Sequence, residues 1–520
     1  MIKNWLKTLI LIPAVYSCAV AQDPVQIKYA DLFTEASARK HLTILASPEF
    51  EGRGTGQEGG KKAAQYIADH FKSLGLKAPV DGSYFQPVKL IKKSYQVDQF
   101  LVNGKEYQQA KDFFVQGSNS FAGFEAAEII VIGYGIQDAK HNDLKDLDIK
   151  DKVVLLINEG EPLDAQGNSV ITGTNKLSEW STSRFKRMQE LVKLQPKMIL
   201  ATGAYVGPMV ERFGARMGSG SFALDSPQAE EKKQDAPPVV NIKVELADAL
   251  LAAKGTSIAA LKASPASFAI KTDLKASMGQ KAEKFYDPNV LGLLEGTDLK
   301  EEILIISGHY DHDGIMADGT IFPGADDNGS GTVGVLELAS VFAQAKKDGK
   351  GSRRSILFIG LAAEEKGLLG SKYYTENPIF PIAQSVVCLN LDMIGRIDNK
   401  HLNGNHNYIH AIGTDKLSSE LKQITEKANK DYINMELDYM YDDPKDPMRL
   451  YYRSDHYNFA QKGIPSAFFF SGLHPHYHTP EDTVDKIDFP MMVKREKLVF
   501  HILWEIANRA ERLKVDSNKE

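Results

Sequence analysis

The sequence predicts an α/β protein with a mixed, mainly parallel central sheet flanked by helices. From Asn289 to the end of the chain, apolar strand-like segments alternate with helix-like segments, as in folds built on a mainly parallel sheet. Hydrophobic residues make up 43% and charged residues 25% of the chain, which is ordinary for a globular protein. The length of 520 residues is enough for more than one domain. The net charge of −6 argues against a nucleic-acid partner, because there is no basic excess to neutralise phosphates.

The N-terminus, residues 1–21, is typical of a signal peptide. Basic residues precede an apolar segment that is too short to span a bilayer, and small residues fit cleavage before Gln22. Lipidation of Cys18 is the alternative, which the residues just before it disfavour. No later apolar run is long enough for a membrane helix. We therefore expect an exported protein, periplasmic or secreted rather than an outer-membrane lipoprotein. After cleavage Cys388 would be the remaining thiol, so no intrachain disulfide is expected.

The rest of the chain divides into three parts with different sequence patterns. Residues 22–111 contain the helical pattern GGKKAAQYIADHFKSLGL, which ends at Gly75. Residues 112–275 contain the strand patterns AEIIVIGYGI and DKVVLLINEG, and the helix pattern FKRMQELVKLQP leads into the strand KMILATGA. The Gly-, Ser- and Lys-rich residues 218–238 predict a surface loop. Residues 276–520 carry most of the chemically informative motifs.

Acidic and imidazole side chains follow the predicted strands of this last part. In open α/β sheets the functional site lies beyond the carboxyl ends of the strands, so these side chains are expected to meet at one edge. A single acidic residue after a strand is usually a helix cap or a solvated residue, but this many together are not explained as caps. The residues at strand ends are His309 and Asp311, Glu364 and Glu365, Asp392, and His474, His476 and His478, while Asp326 and Asp327 lie in a Gly-rich turn.

Clustered carboxylates need a counter-charge, since neighbouring like charges cannot all remain ionised without one. Lysine or arginine does not accompany every strand end, so a bound cation is the simplest source. Mixed imidazole and carboxylate ligands suit zinc, with cobalt or manganese as substitutes. The number of candidate ligands suggests two ions bridged by one carboxylate.

Five motifs, taken in order, resemble those of the M28 family of zinc peptidases, the bacterial aminopeptidases with a two-zinc site. They are SGHYDH, GADDNGSG, AAEEKGLLGS, NLDMIGR and YHTPEDT, between about Asn289 and Asp488. The segment ASPEFEGRGTGQEGGKKAAQYI is similar to the family's N-terminal lead-in. The resemblance implies a zinc exopeptidase fold, with residues 22–111 and 276–520 forming the peptidase domain.

The central residues 112–275 resemble the protease-associated (PA) domain that many of these enzymes carry. The similar segments are VIGYGIQ and DLDIKDKVVLLINEG. The resemblance implies a β-rich PA insert that covers the site and limits substrate size. A partner-binding role for the insert is the alternative.

The resemblance also implies a role for each motif residue. Glu364 would be the general base, and Asp311 would hold the His309 imidazole in its ligating tautomer. Tyr477 would stabilise the oxyanion. The implied metal ligands are His309 and Asp392 for one zinc ion, Glu365 and His478 for the other, and Asp327 as the bridge between them.

Other polar residues near the motifs are expected to lie beside the site. We interpret His312, His474 and His476 as neighbours or loop residues rather than ligands. Ser454 and Asp455 match a recurring family element and are expected to support the site.

These features together predict an exported, zinc-dependent exopeptidase that removes N-terminal residues from peptides. The ions would acidify a bridging water, and Glu364 would take its proton before the hydroxide attacks the peptide carbonyl. One alternative is a glutamate-carboxypeptidase-like enzyme, in which Arg449 or Arg453 would hold a C-terminal carboxylate. A glutaminyl-cyclase-like enzyme and a non-catalytic, receptor-like binding protein are the others. The expected partner is a peptide with a free N-terminus, and the oligomeric state stays open.

Overall fold

A computed structural model describes residues 22–116, 121–217, 220–226 and 237–518. The predicted signal peptide, residues 1–21, and its Cys18 lie outside the described residues. None of the helices in the described ranges combines the length and the apolar character needed to cross a bilayer.

Helices and strands occur in every part of the described ranges. The helices are α1 (Pro24–Ala30), α2 (Glu35–Leu45), α3 (Glu58–Leu74), α4 (Glu179–Thr182), α5 (Arg184–Lys193), α6 (Val206–Met217), α7 (Val244–Leu251), α8 (Ile258–Ala263), α9 (Gly331–Lys347), α10 (Leu369–Glu376), α11 (Ser419–Ala428), α12 (His456–Ala460) and α13 (Phe489–Asn508). The strands are β1 (Phe85–Val102), β2 (Lys105–Glu106), β3 (Phe113–Gln116), β4 (Phe121–Ile132), β5 (Val153–Ile157), β6 (Met198–Thr202), β7 (Ser221–Leu224), β8 (Val239–Ile242), β9 (Ser267–Leu294), β10 (Leu299–His309), β11 (Gly314–Ile315), β12 (Ile321–Phe322), β13 (Arg354–Leu361), β14 (Ser385–Leu391), β15 (Tyr408–Ile412), β16 (Glu436–Asp438) and β17 (Ser466–Phe470).

One continuous sheet contains 15 of these strands. Its main path runs β16-β15-β17-β14-β10-β13-β9-β4-β5-β6-β8-β3. In the C-terminal part, β10 is parallel to β13 and β14, and β14 is parallel to β17. The β13–β9 and β15–β17 pairs are antiparallel. The prediction of a mixed sheet flanked by helices is therefore confirmed, and parallel pairs predominate in the C-terminal part of the sheet.

The central strands are buried on both faces, because alternate side chains point to opposite layers. In β10, Leu304 and Ile306 join a core that also contains residues of α2, α3, α9 and α13. Ile303 and Ile305 join a second core that includes Tyr374 of α10. Helices thus cover both faces of the sheet, and polar side chains are brought together at the strand ends.

The predicted helix before Gly75 is α3, which ends where Gly75 adopts a φ of 79°. The left-handed backbone that caps this helix is one that glycine adopts without strain. The predicted strands and helix of the central part are β4, β5, α5 and β6. The surface loop expected over residues 218–238 is wrong for Ser221–Leu224, which form β7. This strand pairs antiparallel with Leu90–Lys93 of β1, whose edge offers unpaired main-chain groups.

The longest strand, β9, contains 28 residues and belongs to both parts of the sheet. It pairs with β1 and β4 and, at its end, with β13. The boundary predicted between residues 275 and 276 falls inside this strand. The division into a peptidase domain and a PA insert therefore stays a prediction.

Candidate metal centre

The motif side chains meet where the parallel strands end. His309 is the last residue of β10, and Asp392 directly follows β14. Glu364 and Glu365 lie in a short 3₁₀ turn after β13. His478 lies in the loop that follows β17. We call the group formed by His309, His312, Asp327, Glu364, Glu365, Asp392 and His478 the ligand cluster.

The orientation of His309 is set by a main-chain contact. Its Nδ1 atom lies 3.0 Å from the main-chain oxygen of Asp311. A carbonyl oxygen can only accept, so Nδ1 carries the proton and Nε2 presents its lone pair to the cluster.

The carboxylate of Asp311 has other partners than the one we expected. Its Oδ1 accepts a hydrogen bond from the main-chain N–H of Glu364 at 3.0 Å, and its Oδ2 accepts one from the Thr55 hydroxyl at 2.9 Å. The predicted contact between this carboxylate and His309 is replaced by the main-chain oxygen, with Oδ1 at 3.8 Å from Nδ1. Asp311 therefore also fixes the turn that carries Glu364.

The Nε2 atom of His309 faces three carboxylates at spacings longer than direct hydrogen bonds. The distances are 3.4 Å to Asp392 Oδ1, 3.6 Å to Asp327 Oδ1 and 3.8 Å to Glu364 Oε2. With zinc–ligand bonds of 2.0–2.2 Å, two ligand atoms on a tetrahedral ion lie about 3.4 Å apart. The spacing between His309, Asp392 and Asp327 fits a shared metal ion.

Asp327 presents one oxygen to each half of the cluster. Its Oδ1 faces His309, while its Oδ2 lies 2.9 Å from Nε2 of His478. Glu365 Oε2 lies 3.1 Å from the same His478 nitrogen. This arrangement brings together the five residues predicted as ligands and leaves Asp327 between the two pairs, where a bridging carboxylate belongs.

His312 also lies inside the ligand cluster, although the sequence placed it beside the site. Its ring is fully buried, and its Nδ1 lies 2.8 Å from Glu365 Oε1 and 3.6 Å from Asp327 Oδ2. One ligand atom from each of His312, Asp327, Glu365 and His478 lies within 4.8 Å of all the others. The spacing of two histidines in SGHYDH was the available signal, but it does not say which way the second ring points.

The charges of the ligand cluster also favour a cation. Burial, reinforced by Glu365, raises the pKa of Asp327 to about 7. Burial also raises the pKa of Glu364 well above its usual range; His309 opposes this rise, while Asp392 and Glu365 add to it. Four carboxylates face three imidazoles in the cluster. Because the carboxylates repel one another in a buried site, the residues fit a bound divalent ion.

Arg53 holds together the segments that carry the cluster, a role that sequence reasoning missed. Its buried guanidinium donates to main-chain oxygens of Leu45, Tyr310, Pro323 and Gly324, at 2.7–2.8 Å. These oxygens come from distant parts of the chain. The arginine lies in the lead-in motif EFEGRGTG, which was the only available signal.

Asp482 fixes the turn that presents Asp327. Its carboxylate accepts from the main-chain N–H groups of Asp326 and Asp327 at 3.0–3.2 Å. Asp326 in turn accepts from the main-chain N–H of Gly395 at 2.7 Å and lies 3.3 Å from His474 Nε2. His474 therefore lies beside the turn and outside the ligand groups, as expected.

Ser454 and Asp455 also contact the site. The Ser454 hydroxyl donates to Asp392 Oδ2 at 2.6 Å and accepts from the Asn390 amide at 2.8 Å. Asp455 is buried and accepts from the Ser371 hydroxyl at 2.5 Å. Both residues orient or surround ligands rather than joining them.

Tyr477 lies against the cluster. Its ring stacks on His478 with centroids 3.9 Å apart, and its hydroxyl lies 3.4 Å from the Arg453 guanidinium. Burial raises the pKa of Tyr477, so the phenol stays protonated. His476 instead contacts Arg396, with 3.2 Å between Nδ1 and the guanidinium. The oxyanion role of Tyr477 stays a prediction.

Two cavities lie on different sides of the ligand cluster. The smaller one, of about 30 Å³, touches Asp327, Glu364 and Asp392 and is otherwise mainly apolar. The larger one, of about 680 Å³, touches Glu365 on one side and residues of β1, β7 and β9 on the other. His478 lines both cavities. The remaining residues around the smaller cavity are Met393, Leu450, Arg453, Phe468, Phe470, Leu473 and Tyr477.

A second cluster of histidine and aspartate lies in the loop between β14 and β15 and beside it. We call it the Asp398 cluster, formed by Asp398, His401, His410 and Asp438. The two oxygens of Asp398 lie 2.7 Å from His401 Nδ1 and 2.8 Å from His410 Nε2. The other nitrogen of His410 lies 3.3 Å from Asp438 Oδ2. One ligand atom from each of Asp398, His401 and His410 lies within 4.8 Å of the others, as in a metal site. Direct contacts between two carboxylates and two imidazoles balance the charge, however, so the geometry is explained without a metal.

The sheet, its helix layers and the ligand cluster define a protein of the zinc-peptidase fold class. Residues 289–503 match the sequence model of Peptidase family M28. These residues, which make up less than half of the chain, are therefore similar to peptidase family M28.

Solved structures and curated relatives agree with this assignment. The aminopeptidase from Aneurinibacillus sp. strain AM-1 superposes with a TM-score of 0.57 and 19% identity, covering 94% of this chain and 98% of that one. The zinc aminopeptidase BSAP from Bacillus subtilis gives 0.56 and 21%, covering 93% and 98%. These likenesses show the fold.

Two curated relatives match part of the chain. A probable leucine aminopeptidase of Arthroderma otae is 31% identical over 238 residues, which cover 44% of this chain and 61% of the relative. Aminopeptidase YwaD of Bacillus subtilis is 29% identical over 295 residues, which cover 53% of each chain. The matched region thus spans only between half and two thirds of the length of these relatives.

Proposed function

We propose that the protein is an exported, zinc-dependent aminopeptidase. The observation that supports this most strongly is the position of the ligand cluster between a small cavity with partly apolar walls and a large open one. A peptide lying across the cluster would place one terminal side chain in the small cavity and the rest of its length in the large one. The printed names of the relatives, which are aminopeptidases, favour the N-terminus as the end in the small cavity.

Two zinc ions would be held by the residues that the sequence predicted. His309 and Asp392 would hold one, Glu365 and His478 would hold the other, and Asp327 would be shared between them. Zinc bound in this way lowers the pKa of water and polarises a carbonyl group. His312 contributes either as a further ligand to the second ion or by orienting Glu365.

Glu364 is placed to move protons. Its main-chain N–H is held by Asp311, and its carboxylate lines the small cavity beside Asp392. In the proposed reaction Glu364 accepts the proton of the attacking water and donates it to the leaving amine. The phenol of Tyr477 lines the same cavity and donates a hydrogen bond to the developing oxyanion.

The small cavity favours an apolar N-terminal residue. Met393, Leu450 and Phe468 supply apolar walls, and the carboxylates of the cluster attract the terminal ammonium. The test is hydrolysis of Leu-p-nitroanilide and of Leu-peptides by the zinc-loaded protein, beside the same peptides acetylated at the N-terminus. We expect the acetylated peptides to be poor substrates. Equal cleavage of free and acetylated peptides would rule out an aminopeptidase.

One observation favours a carboxypeptidase as the second candidate. Arg453 lines the small cavity, where its guanidinium could hold a C-terminal carboxylate instead of an N-terminal side chain. N-acetylated peptides ending in glutamate separate the two candidates. Cleavage of these peptides, with loss of that activity in Arg453→Gln, would favour the carboxypeptidase.

Export and the PA insert belong to the same proposal. Cleavage before Gln22 predicts a mature N-terminus that mass spectrometry of the secreted protein can read, and a diacylglyceryl group on Cys18 would contradict it. A lid-like role of the insert is supported by Gly220 and Phe222, two of its residues that line the large cavity. Removal of the insert should widen the range of accepted substrates, and unchanged selectivity in a folded deletion variant would count against this role.

A further inference from the structure

Lys366 directly follows the predicted ligand Glu365 and lies in the wall of the large cavity. Its side chain is half-buried. Within the described parts of the chain, its ammonium forms neither a hydrogen bond nor an ion pair; its recorded contact is with the Phe222 ring, 5.8 Å from ring centroid to Nζ. Its charge also acts on the buried Asp311 carboxylate, whose oxygens already accept from the Glu364 N–H and the Thr55 hydroxyl. A half-buried ammonium with no direct acidic contact attracts an anion from solution.

A second lysine lies on the same ring. Lys92 of β1 places its Nζ 5.8 Å from the Phe222 centroid, and its only acidic neighbour across the strand pair is Glu283 of β9. Phe222 also packs edge-on against Phe285, with centroids 6.0 Å apart. Lys366, Lys92 and the two phenylalanine rings therefore lie on one wall of the large cavity. The rings form its centre, and the two ammonium groups lie beside them.

This wall adjoins the large open cavity, which also touches Glu365 and His478 of the ligand cluster. A peptide whose N-terminal residue occupies the small cavity sends its following residues into this space. Each further residue extends the chain by about 3.3–3.6 Å, so a carboxylate one or two residues beyond the scissile bond enters the region of Lys366.

The acidic groups around the wall do not cancel its charge. Asp313 lines the same cavity but lies near His312 and His478, at 3.8 and 3.9 Å. Glu283 is exposed and faces Lys92 rather than Lys366. Lys366 is therefore the main anion-binding group, and Lys92 is the weaker one.

We propose that Lys366, assisted by Lys92 and the Phe222 ring, forms a subsite for a carboxylate on the leaving-group side of the peptide. This rests on the proposed aminopeptidase function and adds a substrate class: short peptides with a nearby C-terminal carboxylate, or peptides with an acidic residue after the scissile bond. The carboxylate forms a charge-assisted contact with the ammonium, and an aromatic side chain next to it packs on Phe222.

Two pairs of substrates separate the sources of the carboxylate. Leu-Phe against Leu-Phe-amide tests the main-chain carboxylate, and Leu-Asp-amide against Leu-Asn-amide tests the side chain. Because hydrogen bonds to charged groups are stronger than neutral ones, we expect kcat/KM to favour the charged member of at least one pair by about 10-fold. This preference should shrink in 0.5 M salt, since screening weakens exposed charge pairs.

The matched variants are Lys366→Gln and Lys372→Gln. Lys372 is exposed on the adjacent α10, so its loss changes the net charge equally without touching the wall. The preference ratio should fall toward one in Lys366→Gln, fall less in Lys92→Gln and stay unchanged in Lys372→Gln. A wild-type ratio near one in both pairs overturns the subsite, and so does an unchanged ratio in Lys366→Gln.

A binding measurement distinguishes failure of the subsite from failure of the proposed function. Calorimetry compares the affinity of zinc-loaded Glu364→Gln for Gly-Phe and for Gly-Phe-amide, so that hydrolysis does not disturb the binding measurement. Absent hydrolysis of every Leu-peptide together with tighter binding of Gly-Phe would refute the aminopeptidase and support the carboxylate subsite. Hydrolysis of the amides with equal binding of both ligands would support the enzyme and refute the subsite.

Discussion

The ligand cluster and the Asp398 cluster contain the same residue types but differ in charge balance and spacing. In the Asp398 cluster two carboxylates meet two imidazoles, and Asp398 bonds both rings at 2.7–2.8 Å. In the ligand cluster four carboxylates meet three imidazoles, and His309 Nε2 keeps 3.4–3.8 Å from the acids it faces. The contacts of His312 and His478 with Glu365 and Asp327 are nearly as short as those of Asp398, at 2.8–3.1 Å. The ligand cluster therefore differs in its surplus carboxylate and in the wider spacing around His309, and both favour a cation there.

This difference shows how a structural histidine–aspartate group can be told from a metal site. The two clusters have the same residue types at similar distances, so residue type and proximity do not tell them apart. The deciding quantity is the surplus of carboxylates over imidazoles, and the spacing between ligand atoms supports it around His309. The following experiments test whether the two clusters behave as differently as these quantities indicate.

Glu364→Gln should have the largest effect. Loss of the proposed general base should lower kcat by about 10²–10⁴-fold, while the zinc content stays unchanged. Glu376→Gln, on the exposed end of α10, is the matched control. Near-normal turnover in Glu364→Gln would show that this residue does not act as the base.

Removal of zinc should destabilise the protein through the ligand cluster alone. At free zinc of 100–1,000 times Kd, bound metal contributes about 3–4 kcal/mol to the free energy of unfolding. Chelation should remove this contribution in the wild type and equally in His410→Gln, since the Asp398 cluster needs no ion. Metal analysis should give two zinc ions per chain in both proteins. A lower zinc content in His410→Gln would contradict the comparison.

His312→Gln should weaken one of the two metal sites. Groups that orient a ligand typically contribute 10–100-fold to metal affinity, and a direct ligand contributes at least as much. Competition with a zinc-binding dye should show one weakened site and one unchanged site. His406→Gln, at an exposed histidine outside both clusters, is the control. Unchanged zinc affinity at both sites would show that His312 neither binds the metal nor orients a ligand.

Asp398→Asn should affect stability rather than activity, and its effect should depend on pH. Loss of the buried hydrogen bonds should lower the free energy of unfolding by about 1–3 kcal/mol. Burial alone would raise the pKa of Asp398, but His410 and His401 lower it below its usual range. Its stabilising effect is therefore present above about pH 3.9 and lost as pH falls through the lower folded value.

The pKa of His410 sets the upper end of the pH range in which the Asp398–His410 pair stabilises the protein. Burial alone would lower it, but Asp398 and Asp438 raise it above its usual value. This stabilisation is full below about pH 6.5 and lost as pH rises through the folded value. Urea unfolding of the zinc-free proteins should show the largest difference between Asp398→Asn and wild type between about pH 4 and 6.5. A pH-independent difference would be inconsistent with the coupled pair.

The sequence predicted the parts of the molecule that depend on local pattern. The apolar runs of β10, β13 and β14 are continuous, so the strands and the residues at their ends could be read directly. The direction of the His312 side chain could not be predicted, because its ring packs against Gly324, a contact that only the folded chain provides. Arg53 could not be assigned either, since its partners lie far apart in the chain. The pairing of β7 depends on an edge of β1 that only the folded sheet provides.

The length of β9 has a mechanical consequence. One uninterrupted strand is hydrogen-bonded to β4 near its start and to β13 near its end, and β1 accompanies it along the mouth of the large cavity. Bending about a flexible linker is therefore unavailable along this connection. The width of the large cavity is therefore expected to change with the twist of the two-stranded β1–β9 ribbon rather than with a hinge.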